Sequence, residues 1–313
     1  MMERRIAMLF PGQGSQYVGM GKALWDEFAV ARQTFQEASE ALGQDVAGLC
    51  FEGPEERLRL TANTQPAILT VSVAALRVVR SQIPMTPICA AGHSLGEYSA
   101  LVAAGVLGFA DAVALVRKRG QFMQEAVPEG EGAMAALLGL DGDLVEALCR
   151  ENAGSRVVTP ANYNGPGQMV ISGHADAVER VVQSAKGQGV RKAVMLPVSA
   201  PFHSPLMAPA GERLREELER VSVGPFAFEV ISNVEAAPYP SGEAVADLLS
   251  RQVSHPVRWQ ECMEAVSARG VGLALELGPK NVLAGLMKRI APQVQAIPME
   301  DRKGLDRVAK LLS

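Results

Sequence analysis

The chain is predicted to be an α/β protein with a mostly parallel sheet, into which a second, smaller unit is inserted. Three observations predict this. Short apolar runs alternate with helical patterns through residues 1–127 and again through 199–313, as in parallel strands joined by crossover helices. Residues 128–198 break that rhythm and read in the order βαββαβ. The 313 residues are 48% hydrophobic, enough for a substantial core.

Residues 5–10 are the first predicted strand, ending in Pro11-Gly12-Gln13-Gly14-Ser15. A long helical pattern follows, with Leu24, Phe28, Phe35 and Leu42 among its apolar positions. Residues 65–79 read as a helix opened by Pro66. Ile88-Cys89-Ala90-Ala91 is a short strand, and a small-residue helical pattern runs from Ala100 to Ala104. Residues 111–127 are helical until Pro128-Glu129-Gly130-Glu131-Gly132 breaks the chain. The inserted unit then reads as strand 133–140, helix 142–152, strands 157–163 and 168–172, helix 175–186 and strand 191–198. Its middle strands are joined around Asn164-Gly165-Pro166-Gly167, and the order is that of a ferredoxin-like unit. After it come a charged helix over 212–220, a strand over 226–232 and a helical stretch over 247–253. A buried strand over 273–277 ends in Gly278-Pro279, with a helix over 282–290 behind it.

Composition excludes several function classes. A net charge of −4 argues against nucleic-acid binding. Cys50, Cys89, Cys149 and Cys262 are far apart and read as reduced thiols in a cytoplasmic protein. His93, His174, His203 and His255 lack metal-ligand spacing, so no metal is expected. The apolar run within residues 1–10 is too short for a signal peptide, and no stretch is long enough to span a membrane.

Chemistry concentrates at Gly92-x-Ser94-x-Gly96. Between a strand and a helix this pattern reads as a nucleophile elbow, the sharp turn of an α/β-hydrolase-like fold; a chance match in a Gly-rich turn is the alternative. The helix N-terminus points unpaired N–H groups at the same spot, so Ser94 can attack an acyl carbon beside an oxyanion site. His203, in the proline-bounded loop Pro201-Phe202-His203-Ser204-Pro205, is the candidate base; an ordinary surface histidine is the alternative. His93 is expected to pack or orient rather than react. No acid stands out to orient the base, so an amide or a backbone carbonyl is expected in that role. Arg119 shares the phase of Leu115, Val116, Phe122 and Met123 and is aimed inward. Its guanidinium needs an anion, either a carboxylate of the protein or one on the substrate. Gln13 lies in a Gly-rich loop after the first strand, which can offer a backbone N–H to an oxyanion.

These segments resemble those of the malonyl-CoA:acyl carrier protein transacylases of fatty acid synthesis. The resemblance rests on Phe10-Pro11-Gly12-Gln13-Gly14-Ser15-Gln16, Gly92-His93-Ser94-Leu95-Gly96-Glu97-Tyr98 and Arg117-Lys118-Arg119-Gly120 with Met123-Gln124. Pro201-Phe202-His203-Ser204, Gln252-Val253-Ser254-His255-Pro256-Val257-Arg258-Trp259 and Glu276-Leu277-Gly278-Pro279 complete it in order. It implies that Ser94 accepts the acyl group, with His203 as base and the N–H groups of Gln13 and Leu95 as oxyanion hole. It implies further that Arg119 binds the malonyl carboxylate and that the main-chain carbonyl of Gln252 orients His203. The resemblance also implies that Asn162, in the family-like Ala161-Asn162-Tyr163-Asn164, borders the site, and Phe202 looks like the malonyl-preferring form, where methylmalonyl-preferring relatives tend to have serine. Pro201 departs from a commoner alanine-like residue. Gly278-Pro279-Lys280-Asn281 departs from a more frequent glycine-rich turn and is expected to be remote from the chemistry.

The implied substrates are malonyl-CoA and holo acyl carrier protein, with no cofactor beyond the coenzyme A thioester. Lys186, Arg191 and Lys192 are candidates for a basic carrier-docking patch, or an ordinary solvated face. Other readings are a free-standing acyltransferase of a polyketide synthase or malonate decarboxylase, a serine esterase or thioesterase, and an idle carrier-binding scaffold.

Overall fold

The computed structural model describes residues 5–198 and 200–312. The readings of residues 1–4 and the domain edges at 199 and 313 lie outside the described residues. The chain opens with β1 (Ile6–Phe10), α1 (Lys22–Glu27), α2 (Ala29–Leu42), α3 (Val46–Glu52), α4 (Glu55–Arg59) and α5 (Thr61–Gln82). Next come β2 (Pro87–Gly92), α6 (Gly96–Ala103) and α7 (Phe109–Glu125). The middle section holds β3 (Gly132–Leu138), α8 (Gly142–Ala153), β4 (Val158–Gly165), β5 (Gln168–His174), α9 (Ala175–Gly187) and β6 (Lys192–Met195). A 3-10 turn (Pro205–Met207) leads into α10 (Ala208–Leu218), β7 (Glu229–Ile231), α11 (Ala244–Gln252) and α12 (Trp259–Ala268). The chain closes with β8 (Leu273–Leu277), α13 (Val282–Ile290), β9 (Gln295–Met299) and α14 (Arg302–Leu312).

Five strands form a sheet in the order β7-β2-β1-β8-β9, and every pairing in it is parallel. Alternation along the central strands explains why both faces are covered. Ile6, Met8 and Phe10 of β1 join the core under α2, α5, α6 and α7. Ala7 and Leu9 face the opposite core, which includes Trp259, Met263 and Leu286. The second sheet is antiparallel, in the order β4-β5-β3-β6, with α8 and α9 packed on one face over a separate core. It is tied to the first sheet by the loop before α12: Tyr163 N–H donates to Val257 O at 2.9 Å and Val257 N–H to Ala161 O at 2.8 Å.

Several elements differ from expectation for local reasons. The long helix after β1 is two helices, because Phe28 is extended (φ −120°, ψ 123°) and caps α2. Helix α5 begins at Thr61 and carries Pro66 inside it. Proline lacks the N–H that would meet Ala62 O, and Arg117 Nη1 fills that place at 3.0 Å. Strands β6 and β7 are shorter than the apolar runs that predict them. The sequence reading assigned no element to α3, α4, α12, β9 or α14. Trp259, Cys262, Met263 and Val266, all buried on α12, have the i, i+3, i+4, i+7 spacing that could have revealed that helix.

Candidate active site

Ser94 stands between β2 and α6 with φ 51°, a left-handed conformation uncommon for a residue with a side chain. The flanking glycines are required by close approach. A Cβ at Gly92 would lie 1.9 Å from Gly96 O, and one at Gly96 would lie 2.0 Å from Phe10 O. The elbow is therefore folded tightly on itself and pressed against β1. The Gln13 loop is pressed on it too, since a Cβ at Gly12 would lie 2.3 Å from His93 O.

Ser94 Oγ and His203 Nε2 are 2.8 Å apart, within reach for proton transfer. His203 sits in the loop before the 3-10 turn, also at positive φ (58°), and its N–H donates to Val253 O. Its Nδ1 lies 2.8 Å from Gln252 O, so Nδ1–H donates to that carbonyl and Nε2 is left as the acceptor. Burial, with the nearby Arg119 charge, pushes the His203 pKa down to about 3. The imidazole is therefore neutral at ordinary pH. The expected alternative of a surface histidine does not hold, because His203 is buried.

Arg119 is 2% exposed, as its helical phase predicts. Nη1 donates to Gln65 Oε1 at 2.8 Å; Nη2 donates to Ser94 Oγ and to Gln252 Oε1, each at 3.0 Å. The Tyr98 ring lies 5.7 Å from the guanidinium carbon. These three acceptors are neutral oxygens, and among the described residues no carboxylate forms an ion pair with Arg119. Of the two anions expected for it, the first, a carboxylate of the protein, is not at contact distance among the described residues.

The remaining expected residues gather around this centre. A cleft of about 100 Å³ is lined by Gln13, Ser94, Leu95, Arg119, Asn162, Phe202 and His203. The antiparallel unit contributes Met134 and, from the segment after β6, Leu196 and Val198 to the same cleft. Asn162 is brought there because β4 bridges Val257. His93 bonds Asn164 through Nε2 at 2.8 Å and packs on Trp259, an orienting contact as expected. Pro201 packs on β3: a Cβ at Gly132 would lie 2.3 Å from its ring. Glu276 accepts from Leu283 and Ala284 N–H at 2.9 and 2.8 Å, capping α13. The Gly278-Pro279-Lys280-Asn281 turn is closer to the site than expected. Lys280 Nζ donates to Gly14 O at 3.1 Å, and Gly278 lies so near Pro11 that a Cβ would be 2.7 Å from its ring.

Sequence reasoning assigned no role to Glu97, Asn233 or Gln65. Asn233 follows β7, and its Oδ1 accepts from Ser94 N–H at 2.7 Å while Nδ2 donates to Gly92 O at 2.8 Å. With its amide engaged there, Ser94 does not present that N–H to an oxyanion. The available signal for Asn233 was its place at the carboxyl end of a parallel strand, where open α/β sheets build sites.

The geometry is that of an activated serine with a neutral imidazole base and an adjoining guanidinium, suited to acyl transfer. Residues 7–305 match the family described as the acyl transferase domain. The malonyl CoA-acyl carrier protein transacylase of Escherichia coli (strain K12) is 47% identical over 98% of this chain and 99% of its own length. That of Bacillus subtilis (strain 168) is 45% identical over 98% of this chain and 97% of its own. The solved structure of the Coxiella burnetii malonyl CoA-acyl carrier protein transacylase superposes with a TM-score of 0.97 at 44% identity, covering 99% of this chain and 98% of that one. A malonyl-transacylase solved in complex with its type II PKS acyl-carrier protein is 46% identical, with a TM-score of 0.96 over 98% of this chain and 99% of its own. With nearly its whole length matched, the chain belongs to the acyl transferase domain family.

Proposed function

We propose that this chain transfers malonyl from malonyl-CoA to the phosphopantetheine thiol of acyl carrier protein, through a malonyl ester on Ser94. The observation that carries the reading is Arg119: a buried guanidinium 3.0 Å from the Ser94 oxygen, with no carboxylate paired to it among the described residues. An acyl group that brings its own carboxylate completes that site. The printed names of the relatives support the same substrates for this chain.

In the first half-reaction His203 Nε2 takes the Ser94 proton as Oγ attacks the thioester carbonyl. Charge develops on the carbonyl oxygen, where the N–H groups of Gln13 and Leu95 are the proposed donors. Collapse breaks the C–S bond, and His203 returns its proton to the departing coenzyme A thiolate. In the second half-reaction His203 takes the proton of the carrier's thiol, the sulfur attacks the ester, and Ser94 leaves with the proton restored. Gln252 O holds the imidazole through both steps, a role an acid fills in other triads. Asn162 and Phe202 bind the acyl chain. The reaction uses the chain's own side chains and the coenzyme A thioester, with no further cofactor.

We read residues 1–127 and 199–313 as one α/β-hydrolase-like acyltransferase domain and 128–198 as an inserted ferredoxin-like subdomain. The strand order β4-β5-β3-β6 supports the second part of this reading. Arg191 and Lys192, exposed at the start of the edge strand β6, remain candidates for carrier docking. We place the protein in the cytoplasm, supplying fatty acid synthesis; no described helix is long and apolar enough to cross a membrane. A polyketide pathway is the second reading, favoured by the likeness to the type II PKS transacylase.

Intact-mass measurement after mixing with malonyl-CoA tests the proposal. The parent should gain one malonyl group, lose it on addition of holo carrier protein, and gain nothing as Ser94→Ala. Release of free malonate with no adduct would make the protein a hydrolase instead.

A further inference from the structure

Directly beneath the reacting pair lies a carboxylate that takes no part in the chemistry above. Glu97, in the first turn of α6, is fully buried. Its Oε2 accepts from Asn233 N–H at 3.0 Å and from Gln252 Nε2 at 2.6 Å, and its Oε1 accepts from the Tyr239 hydroxyl. Three donors from two segments, the connection after β7 and the end of α11, thus converge on one side chain. Two of those residues also hold the reacting atoms. Asn233 clamps the elbow through Ser94 N–H and Gly92 O. Gln252 holds His203 through its main-chain carbonyl, and its Nε2 also donates to Ser94 O at 3.0 Å.

We propose that Glu97 is a positioning residue that fixes Ser94 and His203 relative to one another, acting through Asn233 on one side and Gln252 on the other. The inference rests on the reading of Ser94 and His203 as the reacting pair. Its logic is geometric. Ser94 and His203 both sit at positive φ on different segments, and their separation is set by whatever joins those segments. Beside the direct Gln252 Nε2–Ser94 O bond, the joint between Asn233 and Gln252 is the Glu97 carboxyl group, the common acceptor of both amides. Position is what its hydrogen bonds supply: it makes no direct contact with Arg119, and the Gln252 amide stands between them. Burial raises the Glu97 pKa to about 7, against the lowering by its hydrogen-bond donors and by the Arg119 charge.

Position and charge predict opposite orders for two conservative variants. In Glu97→Gln the amide oxygen can still accept from Asn233 and Gln252, and its NH₂ can donate to the Tyr239 oxygen, which is able to accept. Glu97→Asp keeps the charge but withdraws the acceptor by one methylene. The rate of malonyl-Ser94 formation is measured by rapid quench and intact mass, normalised to protein that remains folded by circular dichroism. Glu97→Gln should stay within about threefold of the parent and Glu97→Asp should lose about tenfold or more, since displacement on the scale of 1 Å has effects of that size. If Glu97→Asp does not fold, Asn233→Ala removes one arm of the clamp and should show the same loss. Equal parental rates in the folded variants would reduce Glu97 to a packing residue, and a slower Gln than Asp variant would make charge its role. Either result overturns the proposal. A parent that forms no malonyl ester would instead overturn the functional reading on which it rests.

Discussion

Among the described residues, the side chains that hydrogen-bond Ser94 all come from one side of the cleft. His203, Arg119, Gln252 and Asn233 belong to the parallel sheet, its helices and the loops at its carboxyl edge. The antiparallel unit faces the same cleft mainly with Met134, Leu196 and Val198, adding one polar residue, Asn162. One side is organised by hydrogen bonds of fixed length and direction; the other is organised by packing over its own core. Directional contacts lose their function when one atom moves, whereas a packed wall can shift and still exclude water. Substitutions on the two sides should therefore fail in different ways.

The largest difference is expected at His203. His203→Ala should slow ester formation by about a hundredfold or more, the usual contribution of a positioned base, with little loss of thermal stability. Stopped-flow or quench kinetics alongside a melting curve would read both. The pH profile sharpens the point. An ordinary imidazole, with a pKa of about 6.5, would lose base activity through that range as pH falls. His203 is pushed down to about 3, so the folded enzyme keeps a neutral base far below that range. The acylation rate should stay flat from about pH 5 to 8; a fall centred near 6.5 would mean that His203 is solvated during turnover.

Arg119→Ala should come next. With the guanidinium gone, the malonyl carboxylate enters a buried site unpaired, and specificity for malonyl-CoA should drop about a hundredfold. Acetyl-CoA has no carboxylate to lose, so the malonyl-to-acetyl ratio of kcat/KM should collapse. An unchanged ratio would remove Arg119 from acyl selection and leave it as a brace for Ser94 and Gln252.

The same contrast explains what could be read without coordinates. The elbow was legible because close backbone approach demands glycine at 92 and 96 in a fixed spacing. Arg119 was legible because a cation in an apolar helical phase is anomalous. Gln252 as the orienter of His203 came only from family resemblance, because a main-chain carbonyl leaves no mark on residue type. Glu97 and Asn233 stand 136 positions apart and meet only in the fold, so no local pattern joins them. The split of the first long helix at Phe28 was hidden for a related reason: an apolar residue fits either a helix or the extended cap.

The smallest effect on chemistry should come from the packed wall, at Met134. This side chain is 4% exposed, lies on β3, and faces both the cleft and the larger core. Truncation to alanine removes buried apolar atoms and leaves a cavity, at a cost of about 2–5 kcal/mol in stability. Its thioether makes no hydrogen bond that positions Ser94 or His203, so folded Met134→Ala should keep kcat within about threefold of the parent. KM for malonyl-CoA should rise by a similar factor as the wall loosens. Met134→Ala would thus melt early and react nearly normally, the reverse of His203→Ala. Should folded Met134→Ala instead lose kcat as severely as His203→Ala, the antiparallel unit would be setting the geometry of the reacting pair, and the division between the two sides of the cleft would fail.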